Sequence, residues 1–388
     1  MPHSTLTQTF GRRSEDANLT PMATYLLRLM HLKRTNLCVS ADVTTTNELL
    51  RLAEDVGDHI CVLKTHADIV SDFGEKTIRG LNEIARRKQF VVFEDRKFGD
   101  IGNTVQLQYT HGPLQIVRWA AIVNCHIFPG PQIITALAQA AQRAITAYNT
   151  SVHTDISASP AGSVVGAEDS EAEEEEEEVD GTLEDDDDDV PSIAESDDLD
   201  DYRKSRKQSV VSISTTISTK TETISPQPNL RASLSRHAST DEEIDEDEEE
   251  RQTALQDLGP PPFYRSLLLL AQMSSADNFF TEPYTAACLQ HARLNKNFVM
   301  GFIAQRALNE NPDDNFITMT PGVQKAAGGD GMGQQYNTPR KVIFEGGTDI
   351  IIVGRGVLNA PDRAKEAAEY RKQGWLAYEQ RLGRQTRK

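Results

Sequence analysis

Residues 91–104 read Val-Val-Phe-Glu-Asp-Arg-Lys-Phe-Gly-Asp-Ile-Gly-Asn-Thr, an apolar strand that runs into a cluster of charges. Asp95 and Lys97 are two positions apart, so on an extended backbone their side chains leave the same face. A second carboxylate, Asp100, follows in the loop. An ammonium group beside two carboxylates is suited to protonate a developing carbanion. The stretch therefore predicts a buried strand that ends in catalytic residues, with a surface turn of ordinary ion pairs as the alternative.

Eight short apolar runs rich in β-branched residues recur along the chain, with amphipathic segments between most of them. Continuous apolar runs of this length are typical of parallel strands that are covered on both faces. The predicted strands are residues 37–40, 60–64, 90–93, 121–125, 267–273, 298–303, 316–319 and 349–353. The predicted helices are residues 23–33, 47–56, 75–88, 104–119, 132–148, 284–295 and 360–381. Eight strand–helix units predict an α/β fold, the (β/α)8 TIM barrel.

The negative charge of the chain is concentrated in one segment. The 388 residues have a formal net charge of −19, yet residues 151–257 hold 33 acidic and 8 basic residues and the remainder 26 and 32. The remainder is mildly basic, which suits a small anionic substrate, and it has no patch dense enough to predict nucleic-acid binding. The acidic segment is rich in Ser and Thr and poor in large apolar residues, so it is predicted to be disordered.

The acidic segment separates the fourth predicted helix from the fifth strand, which places it on the barrel face opposite the active site. The chain is therefore predicted to be one barrel interrupted by an insert. Its predicted parts are an N-terminal tail (1–20), the first half of the barrel (21–150), the acidic insert (151–257), the second half of the barrel (258–382) and a C-terminal tail (383–388).

The cysteines and the N-terminus predict a protein of a reducing compartment. The four cysteines lie in or beside apolar runs, without a C-x-x-C pair or the spacing of a metal site, so buried free thiols are expected. They are Cys38, Cys61, Cys125 and Cys288. The N-terminus lacks the apolar core of a signal peptide, and no apolar run reaches membrane-spanning length. A cytoplasmic protein that does not bind membranes is predicted.

Candidate site residues, most of them polar, collect at the carboxyl ends of the predicted strands, where a TIM barrel builds its active site. They are Asp42, Lys64, Thr65, His66, Asp95, Lys97, Asp100, Ser274, Pro321, Gly322, Gly354, Arg355 and Gly356. The loops after strands seven and eight commonly bind phosphate in this fold, and Arg355 can hold phosphate oxygens with its guanidinium group. The Gly-rich residues 326–333, just before Gln334 and Tyr336, predict a lid, with a flexible surface loop as the alternative.

Six sequence blocks resemble the orotidine 5′-phosphate decarboxylase family in its fungal branch. They are Leu63-Lys-Thr-His66, Phe93-Glu-Asp-Arg-Lys-Phe-Gly-Asp-Ile-Gly-Asn-Thr104, Gly301-Phe-Ile-Ala-Gln-Arg306, Met319-Thr-Pro-Gly-Val323, Gly333-Gln-Gln-Tyr336 and Ile350-Ile-Ile-Val-Gly-Arg-Gly356. The similarity covers about residues 20–148 and 258–382. It implies conversion of orotidine 5′-monophosphate (OMP) to uridine 5′-monophosphate (UMP) and CO2, the last step of UMP synthesis, without a metal or cofactor.

The resemblance also implies roles for the matching residues. Lys97 would protonate C6 of the pyrimidine, Asp95 would lie against the departing carboxylate, and Lys64 would join both aspartates in a network of alternating charge. Asp100 and Thr104 would reach into the partner subunit's site, which implies a homodimer with shared active sites.

The remaining substrate contacts follow from the same resemblance. Asp42 and Lys64 would hold the ribose hydroxyls, Ser274 and Gln334 the pyrimidine edge, and Gln334, Tyr336 and Arg355 the phosphate. The complete predicted binding set is Asp42, Lys64, Thr65, His66, Asp95, Arg96, Lys97, Phe98, Gly99, Asp100, Ile101, Gly102, Asn103, Thr104, Ser274, Pro321, Gln334, Tyr336, Gly354 and Arg355.

Two loops depart from the family pattern. Residues 274–280 read Ser-Ser-Ala-Asp-Asn-Phe-Phe, where many relatives carry a Lys-Gly-Ser type of loop. Residues 324–329 read Gln-Lys-Ala-Ala-Gly-Gly, where relatives usually have an acidic pair. Both differences concern the predicted lid and leave every predicted catalytic position intact.

Two other functions are compatible with parts of the sequence. A metal-dependent sugar-phosphate decarboxylase or hexulose-phosphate synthase of the same superfamily would share the Asp-x-Lys-x-x-Asp pattern, but Gln334-Gln-Tyr336 and the lysine-centred network count against it. An interaction protein would bind basic partners through the acidic segment while its barrel is inactive. The intact catalytic positions count against that second alternative.

Overall fold

The structure of the protein is a computed structural model that describes residues 2–159, 210–219, 241–326, 328–329 and 333–383. The chain divides into a barrel unit and a small unit within residues 151–218. Two strands, Thr150–Ser159 and Val210–Thr219, pair with each other in a sheet of their own.

Eight parallel strands close into a barrel in chain order, and the first strand pairs with the last, Leu37 opposite Ile351. The barrel strands are Leu37–Ala41, Val62–Thr65, Val91–Phe98, Ile122–Cys125, Ser266–Leu270, Val299–Ile303, Ile317–Thr320 and Ile350–Val353. All eight predicted strands are present, and the predicted TIM-barrel fold is confirmed.

Helices cover the outside of the barrel. The α-helices are Ser4–Thr7, Phe10–Arg13, Pro21–Lys33, Thr46–Val56, Glu75–Lys88, Gly102–Thr110, Gln132–Asn149, Asp241–Leu258, Glu282–Leu294, Arg355–Leu358 and Arg363–Arg381. Shorter elements are the 3-10 turns Gly57–His59, Ala67–Ile69 and Ile116–Arg118, the π turn Lys341–Glu345, and the paired strands Gly328–Gly329 and Gln335–Tyr336. The predicted helix 104–119 ends early, at Thr110, because Gly112 has φ +70° and a proline follows it.

Close packing of the strands depends on one glycine. Gly301 lies on the sixth strand, and a Cβ atom there would lie 1.8 Å from the carbonyl oxygen of Ile317 on the seventh. The strand residues themselves are almost all buried, which agrees with their continuous apolar sequence. All four cysteines are buried with free thiols, as predicted. Across the described ranges, no helix has both the length and the apolar character needed to cross a membrane.

Residues 1–20 are not the tail that the sequence predicts. Phe10 is fully buried and stacks on Tyr378 of the last helix, with ring centroids 4.1 Å apart. Arg13 is buried as well, forms an ion pair with Asp349 and donates from Nε to Asn315 Oδ1 at 2.9 Å. The few apolar residues of this polar segment have no periodicity that would predict its packing, and the partners of Phe10 and Arg13 are more than 300 positions away.

The predicted disorder does not extend to the end of the acidic insert. The helix Asp241–Leu258 carries Leu255 and Leu258, which pack against the barrel core. Gln89 Nε2 also donates to the carbonyl oxygens of Leu255 and Gly259, at 2.7 and 2.9 Å. Two leucines in an acidic segment are too few to predict an amphipathic helix. Residues 160–209 and 220–240 of the insert, and 384–388 of the predicted C-terminal tail, lie outside the described residues.

Candidate active site

A cavity of about 200 Å³ lies at the carboxyl ends of the barrel strands, where the sequence predicts the active site. Ten predicted site residues line it: Asp42, Lys64, Asp95, Lys97, Ser274, Pro321, Gln334, Tyr336, Gly354 and Arg355. Apolar side chains from three strands, Leu270, Ile303 and Ile352, complete the walls. The cavity therefore offers charges of both signs against an apolar surface, as a small anionic ligand with a planar ring would require.

Asp95 lies between two lysines. Its Oδ2 is 2.8 Å from Lys64 Nζ, and its Oδ1 is 2.7 Å from Lys97 Nζ. Burial alone would raise the pKa of Asp95, but the two ammonium groups outweigh it and hold that pKa well below its usual range. Burial is likewise outweighed for Lys64, whose pKa is raised by Asp95 and Asp42. Both groups are therefore charged throughout the physiological pH range.

His66 completes this charge cluster of Lys64, His66, Asp95 and Lys97. Its Nε2 lies 2.8 Å from Lys64 Nζ and 3.4 Å from Asp95 Oδ2. Burial and the neighbouring Lys64 ammonium lower the pKa of His66, so the imidazole is neutral at pH 7 and Nε2 accepts the hydrogen bond from Lys64. Within the described residues, no group of three or more His, Cys, Asp or Glu side chains could hold a metal ion.

The third strand bulges at Asp95, Arg96 and Lys97. Glu94 pairs with Val123 and Phe98 with Cys125, so the third strand has two more residues than the fourth over this stretch. Lys97 adopts a left-handed backbone, with φ +51°. The sequence predicts that Asp95 and Lys97 share one face of an extended strand. They do share the cavity, but a bulge directs them there.

The loops after the fifth and seventh strands join beside the cavity. Ser274 Oγ donates to Gln334 Oε1 at 3.3 Å, and Ser275 pairs with Gln334 through a β-bridge. Gly322 has φ +77°, and a Cβ atom there would lie 2.5 Å from Gln334 Nε2. Glycine at this position therefore leaves the space that the Gln334 side chain occupies.

A cationic group lies at the end of the eighth strand. The guanidinium carbon of Arg355 lies 5.5 Å from the centre of the Tyr336 ring, within the range of a cation–π contact. Gly354 precedes it, and a Cβ atom there would be 3.4 Å from Asp42 Oδ2. The guanidinium is the group in this part of the cavity best suited to an anion such as phosphate.

Ten other predicted site residues do not line this cavity. They are Thr65, His66, Arg96, Phe98, Gly99, Asp100, Ile101, Gly102, Asn103 and Thr104. Phe98 lies in the core against Tyr109, and Thr65 Oγ1 donates to Glu94 Oε2 at 2.6 Å. Asp100 accepts hydrogen bonds from the Ile101 N–H and from Gln108 Nε2. Substrate contacts for these residues stay predictions.

Other residues of the site were missed from the sequence. The cavity also takes in Ser40, Leu270, Met273, Ile303, Val323, Gln324 and Ile352. Gly322 and Gly356, which the sequence analysis places at the strand ends, line it as well. Ser40 had a signal, since it lies two positions before Asp42 and donates to Asp42 Oδ1 at 2.7 Å. The apolar residues had none, because they end strands whose other residues are equally apolar.

Known proteins that resemble this chain share one family name. Residues 35–182 and 231–370 match the model of the "Orotidine 5′-phosphate decarboxylase / HUMPS family". A relative from Aureobasidium pullulans, named orotidine 5′-phosphate decarboxylase, is 46% identical over 97% of this chain and 95% of its own. Another of that name, from Hypocrea atroviridis, is 44% identical over 98% of this chain and 99% of its own. A solved orotidine 5′-monophosphate decarboxylase from Methanocaldococcus jannaschii, complexed with the inhibitor BMP, aligns at 14% identity and a TM-score of 0.44, covering 87% of this chain and 98% of that one.

Proposed function

The chain belongs to the orotidine 5′-phosphate decarboxylase / HUMPS family, and on this premise we propose how its active site works. The enzyme is a carboxy-lyase that converts OMP to UMP and CO2 in pyrimidine biosynthesis. One observation supports the mechanism most directly: Asp95 is paired with both Lys64 and Lys97 on the cavity wall.

The reaction moves negative charge from the substrate carboxylate to C6 of the pyrimidine. When the C6–carboxylate bond breaks, its electron pair stays on C6, and Lys97 Nζ donates a proton to that carbon. The ionised Asp95 disfavours a carboxylate beside it, whereas the ammonium of Lys97 favours a carbanion. The site therefore complements the transition state more closely than the bound substrate. Lys97 is 37% exposed, so water can return the proton after each turnover. The proposed mechanism uses no metal or cofactor.

The rest of the substrate supplies binding energy. Asp42 and Lys64 hold the ribose hydroxyls, Ser274 and Gln334 the pyrimidine edge, and Arg355 the phosphate together with Tyr336 and Gln334. The existing contacts of Ser274 with Gln334, and of Arg355 with Tyr336, support this assignment because they already hold these groups at the cavity. Contacts far from C6 can lower the barrier by orienting the ring against Lys97.

A homodimer with shared active sites is part of the proposal. Asp100 and Thr104 do not line the cavity of their own chain, as expected if they serve a partner. Beside them, Ile101 is 51% and Leu107 44% exposed, and exposed apolar side chains of this size support a protein interface there. A cytoplasmic location is proposed as well, supported by the four buried free thiols.

The test is decarboxylation of OMP, followed by pyrimidine absorbance, with a metal chelator present. The wild type should turn over, and Lys97→Ala should lose at least about 10²- to 10⁴-fold in kcat because the proton donor is gone. Lys88→Ala is the control, since Lys88 forms an ion pair of 2.6 Å with Asp58 outside the cavity. A folded wild type without activity would refute the assignment, and activity abolished by the chelator would favour the metal-dependent alternative.

A further inference from the structure

Asn124, on the fourth barrel strand, contacts both central residues of the charge cluster. Its side chain is fully buried and does not line the cavity. Its Nδ2 donates to Asp95 Oδ1 at 2.7 Å, and its Oδ1 accepts from the backbone N–H of Lys97 at 2.8 Å. One amide therefore binds the carboxylate of one residue and the main chain of the other.

The position of Asn124 follows from the bulge in the third strand. The backbone pairing steps from Glu94–Val123 to Phe98–Cys125, so Asn124 is the one residue that the fourth strand presents opposite residues 95–97. Across such a bulge the regular ladder is interrupted, and side chains can supply the missing hydrogen bonds. Asn124 supplies one of them, to the Lys97 N–H, and its Nδ2 makes a second hydrogen bond, to the Asp95 carboxylate.

The first of these hydrogen bonds fixes the main chain of Lys97. A left-handed backbone is uncommon for a lysine and persists only where the surroundings determine it. The bond from the Lys97 N–H to Asn124 Oδ1 ties this backbone to a buried, rigid strand. The direction in which the Lys97 side chain leaves the strand is set by that backbone.

The second hydrogen bond fixes the rotation of the Asp95 carboxylate. Oδ1 accepts from Asn124 Nδ2 at 2.7 Å and faces Lys97 Nζ, also at 2.7 Å, while Oδ2 faces Lys64. A side-chain amide suits this place because it carries one donor and one acceptor in a fixed plane. A carboxylate at position 124 would place a second negative charge beside Asp95. An apolar side chain would remove the hydrogen bonds to the Asp95 carboxylate and to the Lys97 N–H.

We propose that Asn124 is a positioning residue of the decarboxylation, holding the Lys97 ammonium where it must donate its proton to C6. This inference rests on the role proposed above for Lys97. Asn124 does not line the cavity, so its replacement should change kcat rather than KM.

The test compares Asn124→Ala with a matched control, Asn36→Ala. Asn36 is equally buried, donates from Nδ2 to the Gly374 carbonyl at 3.1 Å, and lies before the first strand, at the other end of the barrel. Asn124→Ala should lower kcat by about 10- to 100-fold, the effect of losing a hydrogen bond to a charged group, with KM changed less than about threefold. Asn36→Ala should lower Tm but keep wild-type kcat per folded molecule.

A second variant separates positioning from folding. Asn124→Asp keeps the shape and the acceptor for the Lys97 N–H, but its donor returns only when the new carboxyl group is protonated. Relative to wild type, its kcat should therefore recover as the pH falls from about 8 to about 6. This variant decides the matter if Asn124→Ala does not fold.

Two results would overturn the inference: a kcat of Asn124→Ala within about twofold of wild type, or a pH profile of Asn124→Asp parallel to that of wild type. The proposed function would survive either result if wild type decarboxylates OMP and Lys97→Ala does not. An inactive wild type would instead refute the proposed function itself.

Discussion

Replacing Glu94 by glutamine should stabilise the protein increasingly as the pH rises. Glu94 lies on the third strand, opposite Thr65 of the second, and is completely buried. Its Oε2 accepts from Thr65 Oγ1 at 2.6 Å, and its Oε1 from the Ala67 N–H at 3.0 Å. These donors favour the ionised form, but burial outweighs them and, with help from Asp95 and Asp68, raises the pKa of Glu94 from 4.5 to about 7.

The size of the effect follows from the two pKa values. Between pH 4.5 and about 7 the folded protein keeps a proton on Glu94 that the unfolded chain has released. Unfolding then releases a proton, so the free energy of unfolding falls as the pH rises, by about 1.4 kcal/mol per pH unit. The raised pKa of Glu94 contributes about 3 kcal/mol to the free energy of unfolding below pH 4.5. This contribution is lost by pH 7. Glutamine at this position does not titrate.

The assay is urea unfolding at fixed protein concentration, at several pH values between about 5 and 8. As the pH rises from about 5 to about 8, the free energy of unfolding of Glu94→Gln should increase by about 2 to 3 kcal/mol relative to that of wild type. Glu54→Gln is the control, because hydrogen bonds from Arg87 lower the pKa of Glu54. The free energy of unfolding of this variant, relative to wild type, should not increase as the pH rises. A pH-independent difference between Glu94→Gln and wild type would refute the reasoning.

Three further results are expected. Phe10→Ala should lower the free energy of unfolding by about 3–5 kcal/mol, because it removes a fully buried stacked ring; urea unfolding measures this, and a loss below about 1 kcal/mol would mean that the N-terminal segment is not anchored. Gly322→Ala should raise KM for OMP by crowding the Gln334 side chain, whereas Gly383→Ala, with a similar φ of +75° and no atom within 4 Å of its Cβ, should leave KM unchanged. Inactive Asp100→Ala and Lys97→Ala dimers, once mixed and allowed to exchange subunits, should recover about one quarter of wild-type activity, since each hybrid has one intact shared site. No recovery in proven hybrids would contradict shared sites.

Much of the fold could be predicted because the strands of a parallel barrel are buried on both faces. The runs around Val39, Val92 and Ile351 are continuously apolar, which helices on the surface of a protein are not. The rim residues followed from the rule that active sites lie at the carboxyl ends of such strands. The six resembling sequence blocks then gave individual residues their roles.

What the sequence did not reveal depends on partners that are distant in the chain. Phe10 and Arg13 look like parts of a polar tail until Tyr378 and Asp349 are placed beside them. Asn124 had a weak signal, as a polar residue inside an apolar strand, since such residues are buried only with hydrogen-bond partners. Its partners depend on a two-residue bulge, and strand register across a bulge cannot be predicted from a single sequence.

The pairing of the first strand with the last has a consequence for synthesis on the ribosome. Leu37 pairs with Ile351, which leaves the ribosome roughly 300 residues later, or about 15 to 60 s at ordinary elongation rates. Ile122 on the fourth strand must likewise wait for Ser266, because the insert separates them. The nascent chain therefore carries half a barrel with two unpaired edges for much of its translation. Exposed strand edges can pair with other chains, whereas the closed barrel has no exposed edges. We therefore expect the nascent chain to depend on chaperones until the barrel closes.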